Sequence, residues 1–274
     1  AKELKKLRQE DVDGVVLDLR NNGGGSLPEV VKMAGLFINS GPIVQIRSKE
    51  GDVRVMNDRN FGISYDGKLV VLVNSYSASA SEILAAAIQD YDRGVIVGSR
   101  STFGKGTVQR FLNLDNFING GNDIKPLGEI KLTTQKYYRI NGGATQLKGV
   151  IPDVILPDVY NLIDTGEKDQ DQAMPWDEIA PANYAEWKEP VSDDIEEILE
   201  HSQERISQNE TFTLISENAK RYKRRYDRSS YPLNIDAYRT YKTEIEEEAK
   251  KYENISKEID QMDIDFVSAD FDFI

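Results

Sequence analysis

Short apolar runs alternate with helical stretches along the first part of the chain. The runs 14–19, 68–73 and 94–98 are rich in Val, Leu and Ile and predict buried strands. An apolar stretch over 26–38 and an alanine-rich stretch within 79–91 predict helices. Strands that alternate with helices in this way indicate an α/β core with parallel strand pairing.

Further β-structure is predicted between and after these elements. The segment 42–47 has the pattern of a strand, and the segments 129–134 and 136–140 alternate polar and apolar residues. A polar loop is predicted over 116–125, where Asn119-Gly120-Gly121-Asn122 is a turn signal.

The pattern changes after Pro157. The segment 166–172 is charged and polar and predicts a linker, and the apolar segment 173–177 is expected to dock on another part of the fold. Beyond it, charged stretches predict helices whose charged faces are solvated. These stretches are 192–207, 209–226 and 236–255.

We therefore divide the chain into a core, 1–158, and a mostly α-helical C-terminal extension, 159–274. The acidic end, 260–274, is expected to be loosely held. The chain begins in mid-helix with no helix start signal, which predicts a fragment of something longer. It contains no signal peptide and no apolar run of 18 residues.

Composition excludes several classes of function. The net charge of −13 argues against a general nucleic-acid binder and does not favour anionic membrane surfaces. The absence of cysteine excludes disulfides, zinc–thiolate sites and cysteine catalysis. The single histidine, His201, lies in a charged helical stretch, so a Ser-His-Asp hydrolase is not expected. We predict no cofactor and no metal site.

A serine cluster lies where the predicted strand 68–73 turns into the helix that follows. Backbone N–H groups at a helix start are unpaired and point toward negative charge, so this place could hold a nucleophile and an oxyanion. A purely structural alternative exists, because Ser79 and Glu82 have the spacing of a capping box. Taken alone, this stretch favours the cap.

A glycine-rich loop, Asn22-Gly23-Gly24-Gly25, follows the first predicted strand and could bind an anion through its backbone amides. It is not a nucleotide loop, because Pro28 occupies the third glycine position of a G-x-G-x-x-G motif read from Gly23.

Lys105 stands between Gly104 and Gly106. In the absence of a useful histidine or cysteine, a serine nucleophile needs another base, and the neutral amine of a buried lysine can serve. A solvent-exposed loop lysine is the structural alternative for Lys105.

Four stretches, in this order, resemble those of the tail-specific, or C-terminal-processing, serine peptidases. They are Asp18-Leu19-Arg20-Asn21-Asn22-Gly23-Gly24-Gly25, Ser77-Ala78-Ser79-Ala80-Ser81-Glu82, Thr102-Phe103-Gly104-Lys105-Gly106-Thr107-Val108-Gln109 and Gly149-Val150-Ile151-Pro152-Asp153. The extension resembles that of the larger bacterial envelope members of the family. The resemblance implies a crotonase-like core, similar to the protease subunit of the Clp system.

The resemblance also implies roles for individual residues. Ser79 would be the nucleophile, Lys105 the general base and Gln109 the residue that orients the lysine. The oxyanion hole would consist of the backbone N–H of Ala80 and that of Gly25 or, as second choice, Gly24. A Ser-Lys dyad of this kind would cleave proteins through an acyl-enzyme.

The spacing of Lys105 and Gln109 predicts local structure. In an extended strand the two residues would lie roughly 13 Å apart, whereas one helical turn would bring them together. We therefore predict a turn of helix or a tight bend at this point.

Family members carry an upstream PDZ domain that binds the C-terminal tail of the substrate, and none fits before Val12. The resemblance implies protein or peptide substrates with accessible C-termini, an adaptor protein as a further partner, and a periplasmic or envelope location. Without the PDZ domain, weak or no proteolysis is expected. The alternatives are a non-catalytic crotonase-fold scaffold or peptide-binding module and, without support from the residues, an acyl-CoA enzyme.

Overall fold

The structure is a computed structural model that describes residues 1–60, 62–118, 125–185, 187 and 195–256. Its strands are β1 (Val15–Asp18), β2 (Gly41–Ser48), β3 (Val53–Asp58), β4 (Leu69–Val73), β5 (Val95–Gly98), β6 (Thr107–Asn113), β7 (Glu129–Tyr138) and β8 (Val154–Ile155). Its α-helices are α1 (Lys2–Gln9), α2 (Leu27–Ala34), α3 (Ala80–Asp90), α4 (Ile195–Gln208), α5 (Glu210–Tyr226) and α6 (Ile235–Lys250). None of the helices in these residues combines the length and the apolar character that crossing a bilayer requires.

The three apolar runs predicted as buried strands are β1, β4 and β5, and they pair in a parallel sheet of order β1-β4-β5-β8. Val71 and Ile96, both 0% exposed, form the register between the two central strands. The carboxyl ends of parallel strands lie at one edge of a sheet, where ligands bind in open α/β folds. The loops that follow β1, β4 and β5 carry the glycine loop, the serine cluster and Lys105, so this topology gathers them at one edge.

An antiparallel sheet of order β3-β2-β7-β6 completes the α/β core. The predicted strand 42–47 is β2, and the two alternating segments after 129 form the single strand β7. Strand β6 lies at the edge of this sheet and pairs along its length with β7. The predicted combination of an α/β core and a mostly helical C-terminal part is confirmed.

Helix α2 is shorter than predicted, because it ends at Ala34 and not near residue 38. The next residue, Gly35, passes so close to β3 that a Cβ at this position would lie 2.2 Å from Asp58 Oδ2. The chain then turns, which buries Phe37 and Ile38 in the core. The apolar residues that suggested a longer helix therefore lie in a turn, from which their side chains pack into the core.

The apolar segment 173–177 docks on the core, as predicted. Trp176 Nε1 donates a hydrogen bond to Ala144 O at 2.9 Å. Asp177 forms ion pairs with Arg47, at 2.5 Å, and with Lys136. These contacts fix the start of the extension against β2 and β7.

The chain forms two compact units, residues 1–226 and 227–274. In the first unit, α4 contacts both α5 and β8. In the second unit, Asn234 caps α6 by accepting hydrogen bonds from the N–H groups of Asp236 and Ala237. The three predicted charged helices are thus present, while the predictions for 119–122, 192–194 and 260–274 lie outside the described residues. The boundary between 158 and 159 stays a prediction.

Candidate active site

The serine cluster forms a sharp turn between β4 and α3. Ser79 immediately precedes α3, and its backbone angles of φ 57° and ψ −113° are costly for a residue with a Cβ. Two neighbouring hydroxyls hold the turn, because Ser77 Oγ donates to Leu19 O at 2.7 Å and Ser81 Oγ donates to Asn22 O at 3.0 Å. These two hydroxyls serve the fold, whereas Ser79 lines a cavity.

The glycine loop after β1 packs directly against this turn. Gly24 has a φ of +105°, and a Cβ there would lie 2.7 Å from Ala78 O and 2.8 Å from Ser79 Cβ. Its N–H donates to Asn22 Oδ1 at 2.9 Å. Gly24 therefore lies too close to the serine turn to carry a side chain, and its N–H group already has a hydrogen-bond acceptor.

Two backbone amides remain available beside Ser79. The N–H groups of Gly25 and Ala80 have no hydrogen-bond partner among the described residues, and both residues line the cavity. Ala80 is the first residue of α3, where helix geometry leaves the amide unpaired. Of the amides that the sequence suggests for an oxyanion hole, these two have a free donor.

We expect Gly24→Ala to be far more harmful than Gly23→Ala. A methyl group at position 24 meets backbone atoms below 3 Å at a positive φ, whereas a Cβ on Gly23 meets nothing within 4 Å. The change at 24 should lower the free energy of unfolding by about 3 kcal/mol, and it should displace the serine turn. Urea denaturation of both variants measures this difference, and equal stabilities would contradict the packing argument.

Three hydrogen bonds hold the backbone of Lys105 in place. Its N–H donates to Glu82 Oε2 at 3.1 Å, and its carbonyl oxygen accepts hydrogen bonds from the hydroxyls of Tyr137 and Thr145. The next amide, that of Gly106, donates to Gln146 Oε1 at 2.8 Å. Lys105 therefore lies in a segment that hydrogen bonds hold in place, and not in a freely exposed loop.

Of the two alternatives predicted between Lys105 and Gln109, a turn of helix or a tight bend, the turn of helix is absent, because β6 already begins at Thr107. A β-bulge interrupts the β6–β7 register between Val108 and Gln109. The side chains of Lys105 and Gln109 nevertheless meet, with 3.3 Å between Nζ and Oε1. The distance argument behind the helical alternative compared backbone positions and left out the reach of these two long side chains.

Glu82 joins the serine turn to the lysine segment, a role that the sequence analysis missed. Its side chain is 0% exposed, and it accepts four hydrogen bonds, which come from the Ser79 N–H, the Thr102 hydroxyl, the Gly104 N–H and the Lys105 N–H. Burial raises the pKa of this carboxyl group to about 7, and the hydrogen bonds act in the opposite direction. The capping-box spacing indicated the contact with Ser79, but nothing local indicated the other three.

Ser79, Lys105 and Gln109 line one cavity of about 310 Å³. Among the described residues, Lys105 Nζ donates to Gln109 Oε1, and no hydrogen bond joins it to Ser79 Oγ. The remaining lining residues are Gly25, Leu27, Ala80, Ile83, Thr107, Val108, Phe111, Lys131 and Tyr137. The structure thus places a serine on a strained turn, a lysine and two free amides around one small space.

The extension also contacts the loops of this site. The ring of Tyr76, in the serine loop, packs edge-on against Tyr160 at 5.8 Å, and Tyr160 packs against Tyr222 of α5 at 6.0 Å. Buried Gln146, which binds the Gly106 amide, donates to Glu167 Oε1 at 3.2 Å. Both candidate catalytic loops therefore have contacts beyond residue 158.

Comparison with known proteins identifies relatives of both parts of the chain. The model of peptidase family S41 matches residues 1–156, and the model of the C-terminal domain of tail specific protease matches residues 160–270. The tail-specific protease of Haemophilus influenzae is 39% identical over 98% of this chain and 40% of its own length. The carboxy-terminal-processing protease of Bartonella bacilliformis is 38% identical over 58% of this chain and 35% of its own length.

Among solved structures, the photosystem II D1 C-terminal processing protease is 37% identical, with a TM-score of 0.48 over 57% of this chain and 37% of that one. The chain spans well under half the length of the curated relatives it matches. The family match covers more than half of the chain, including the serine turn, the glycine loop and the lysine segment. This chain belongs to peptidase family S41.

Proposed function

We propose that this chain carries the catalytic site of a serine endopeptidase that processes proteins at their C-terminal tails through a Ser79–Lys105 dyad. The observation that carries the proposal is the shared cavity, in which the hydroxyl-bearing turn faces a lysine beside the unpaired amides of Gly25 and Ala80. A nucleophile, a base and an oxyanion site are the parts that acyl transfer requires.

In this mechanism, Ser79 Oγ attacks the carbonyl carbon of the scissile peptide bond while its proton passes to the neutral amine of Lys105. The oxyanion of the tetrahedral intermediate accepts hydrogen bonds from the Gly25 and Ala80 amides. Collapse of the intermediate breaks the C–N bond, and the lysine returns the proton to the leaving amine. Water then attacks the acyl-enzyme by the same route and restores Ser79.

Gln109 acts as the orienting residue in this scheme. Its Oε1 lies 3.3 Å from Lys105 Nζ, which keeps the amine at the cavity when no substrate is bound. Because Nζ has no hydrogen bond to Ser79 Oγ in this structure, a rotation of the lysine side chain toward the serine belongs to the start of each catalytic cycle. Apo geometry of this kind is usual, since catalytic hydrogen bonds often tighten only with substrate.

The proposal extends to substrates and location. The names of the relatives, tail-specific protease and carboxy-terminal-processing protease, support proteins with accessible C-termini as substrates. We propose that an upstream PDZ domain captures these tails, that an adaptor protein assists, and that the protein works in the bacterial envelope, in the periplasm of a double-membraned cell.

The test of the dyad is covalent labelling of the complete gene product with a fluorophosphonate, followed by peptide mapping. We expect the label on Ser79, with labelling lost in Ser79→Ala and in Lys105→Met. Ser75→Ala is the matched control, because Ser75 lies in the same loop and lines a different cavity, and it should remain labelled. A label on another serine would assign the nucleophile elsewhere, and no label on the wild type would favour a non-catalytic scaffold.

A further inference from the structure

The cavity at Ser79 is positively charged, although the chain as a whole is acidic. Two lysines, Lys105 and Lys131, line it, and no Asp or Glu among the described residues does. The net charge of the chain is −13, so random placement would favour carboxylates there. When Lys105 is neutral, as its role as a base requires, Lys131 is the remaining cation of this space.

Strand pairing fixes where Lys131 stands. It lies directly opposite Phe111 in the β6–β7 register, and its Nζ is 5.7 Å from the centre of the Phe111 ring. Phe111 follows Gln109 by two residues, so both side chains project from the same face of β6. Two residues of a strand span roughly 7 Å, which is also the length of two residues of an extended substrate.

The ammonium group of Lys131 contacts the Phe111 ring and has no acidic partner among the described residues. Among the described residues it forms no ion pair, and Glu129, two residues along the same strand, does not reach it. Its side chain is exposed and rests on the edge of the cavity. An ammonium group without an acidic partner, beside a reactive centre, is suited to a carboxylate of the substrate.

The surroundings of Lys131 define the rest of the subsite. Leu27, Ile83, Val108 and Phe111 give the cavity apolar walls. A substrate segment that fits would place apolar side chains near Ser79 and a negative charge about two residues away.

We infer that Lys131, with Phe111 beneath it, forms a subsite for a carboxylate of the substrate within about two residues of the scissile bond. This inference rests on the proposed function of the cavity. The carboxylate has two sources, an Asp or Glu side chain and the free C-terminus of a short substrate tail. Lys131 is a specificity-determining residue in this account and takes no part in proton transfer.

The test uses peptides that differ at one position only. An apolar peptide is made with Asp or Asn at each position within three residues of the bond, and each peptide is made with a free or an amidated C-terminus. For the complete gene product, we expect kcat/KM to favour one charged form over its neutral match by about tenfold, mainly through KM. A preference for Asp over Asn assigns the side chain, and a preference for the free acid assigns the C-terminus.

Matched variants connect this preference to Lys131. Lys131→Gln should abolish the preference by lowering kcat/KM for the charged peptide to the value for its neutral match, and Lys131→Arg should retain it. Lys49→Gln removes one positive charge outside the cavity and should change nothing. Equal losses for charged and neutral peptides in Lys131→Gln, or a preference that survives this change, would overturn the inference.

Different results would contradict the proposed function and the proposed carboxylate subsite. If the wild type cleaves none of the peptides and takes no fluorophosphonate label, the proposed function is wrong. If the wild type takes the label on Ser79 and cleaves neutral and charged peptides equally well, the dyad stands and only the carboxylate subsite is wrong.

Discussion

Replacing Ser79 by alanine should reduce cleavage by the complete gene product by about 10⁴-fold or more. In the proposed mechanism this change removes the atom that forms the acyl-enzyme, while the backbone of the turn remains held by the hydroxyls of Ser77 and Ser81. Lys105→Met should cause a loss of the same order, because the single histidine, His201, lies on α4 and does not line the cavity. Cleavage of a labelled peptide, with mass-spectrometric identification of products, measures both variants.

The two variants must stay folded for this result to have meaning. Urea denaturation should show that both variants are folded, because neither side chain is deeply buried and the loss of the Ser79 helix cap costs only about 1 kcal/mol. Ser75→Ala and Lys49→Met match the two changes chemically and should retain full cleavage. Measurable turnover by Ser79→Ala at identical bonds would assign the nucleophile elsewhere.

Replacing Glu82 by glutamine should lower kcat by about a hundredfold, although the two side chains have nearly the same shape. One carboxylate oxygen, Oε2, accepts the backbone N–H of both Ser79 and Lys105. An amide group offers only one acceptor oxygen, so one pair of donors loses its partner. Either the N–H groups of Ser79 and Lys105 or the donors of Thr102 and Gly104 then face an NH2 group, which displaces the lysine segment relative to the serine turn.

The control for Glu82→Gln is Glu29→Gln, which removes the same charge from an exposed carboxylate at the start of α2. Glu29→Gln should leave kcat unchanged. The two kcat values come from peptide cleavage at saturating substrate. Equal activities of the two variants would show that the buried carboxylate does not position the dyad.

The stability of the fold should also depend on pH through Glu82. Its pKa is raised from 4.5 in the unfolded chain to about 7 in the native state, so between these values the native state binds more protons than the unfolded state. This contribution to stability is fully present below pH 4.5 and is lost as pH rises through 7, by on the order of 3 kcal/mol. The stability difference between wild type and Glu82→Gln should follow this course, and a difference independent of pH would contradict it.

The strands and helices of the core could be predicted from the sequence, but the residues that the fold brings close together could not. Apolar runs such as 68–73 predict strands because buried parallel strands need apolar residues on both faces. The closeness of Ser79 and Lys105 cannot be obtained from periodicity, because it depends on the order in which the strands pair. The closeness of the two residues was predicted from the family resemblance, and not from the spacing of 26 residues between positions 79 and 105.

Finer features of the site depend on three-dimensional packing. The choice between Gly24 and Gly25 depends on the Asn22 side chain, which occupies one of the two amides. The positive φ of Ser79 carries no signal in a cluster of serines and alanines. Glu82 was visible as a cap, but its contacts with Thr102 and Gly104 come from a loop twenty residues away along the chain.

The buried side chain of Gln146 has a consequence for how this protein can change during evolution. It binds the amide next to the candidate base with one end and Glu167 and the Met174 carbonyl of the extension with the other. Two hydrogen bonds therefore connect Glu167, through Gln146, to the residue next to Lys105. A substitution at position 167 can affect Lys105, although position 167 lies in the part of the chain that carries no catalytic motif. Positions 106, 146 and 167 should therefore covary among homologues, and exchange of the extension between distant relatives should succeed only when residue 146 is exchanged with it.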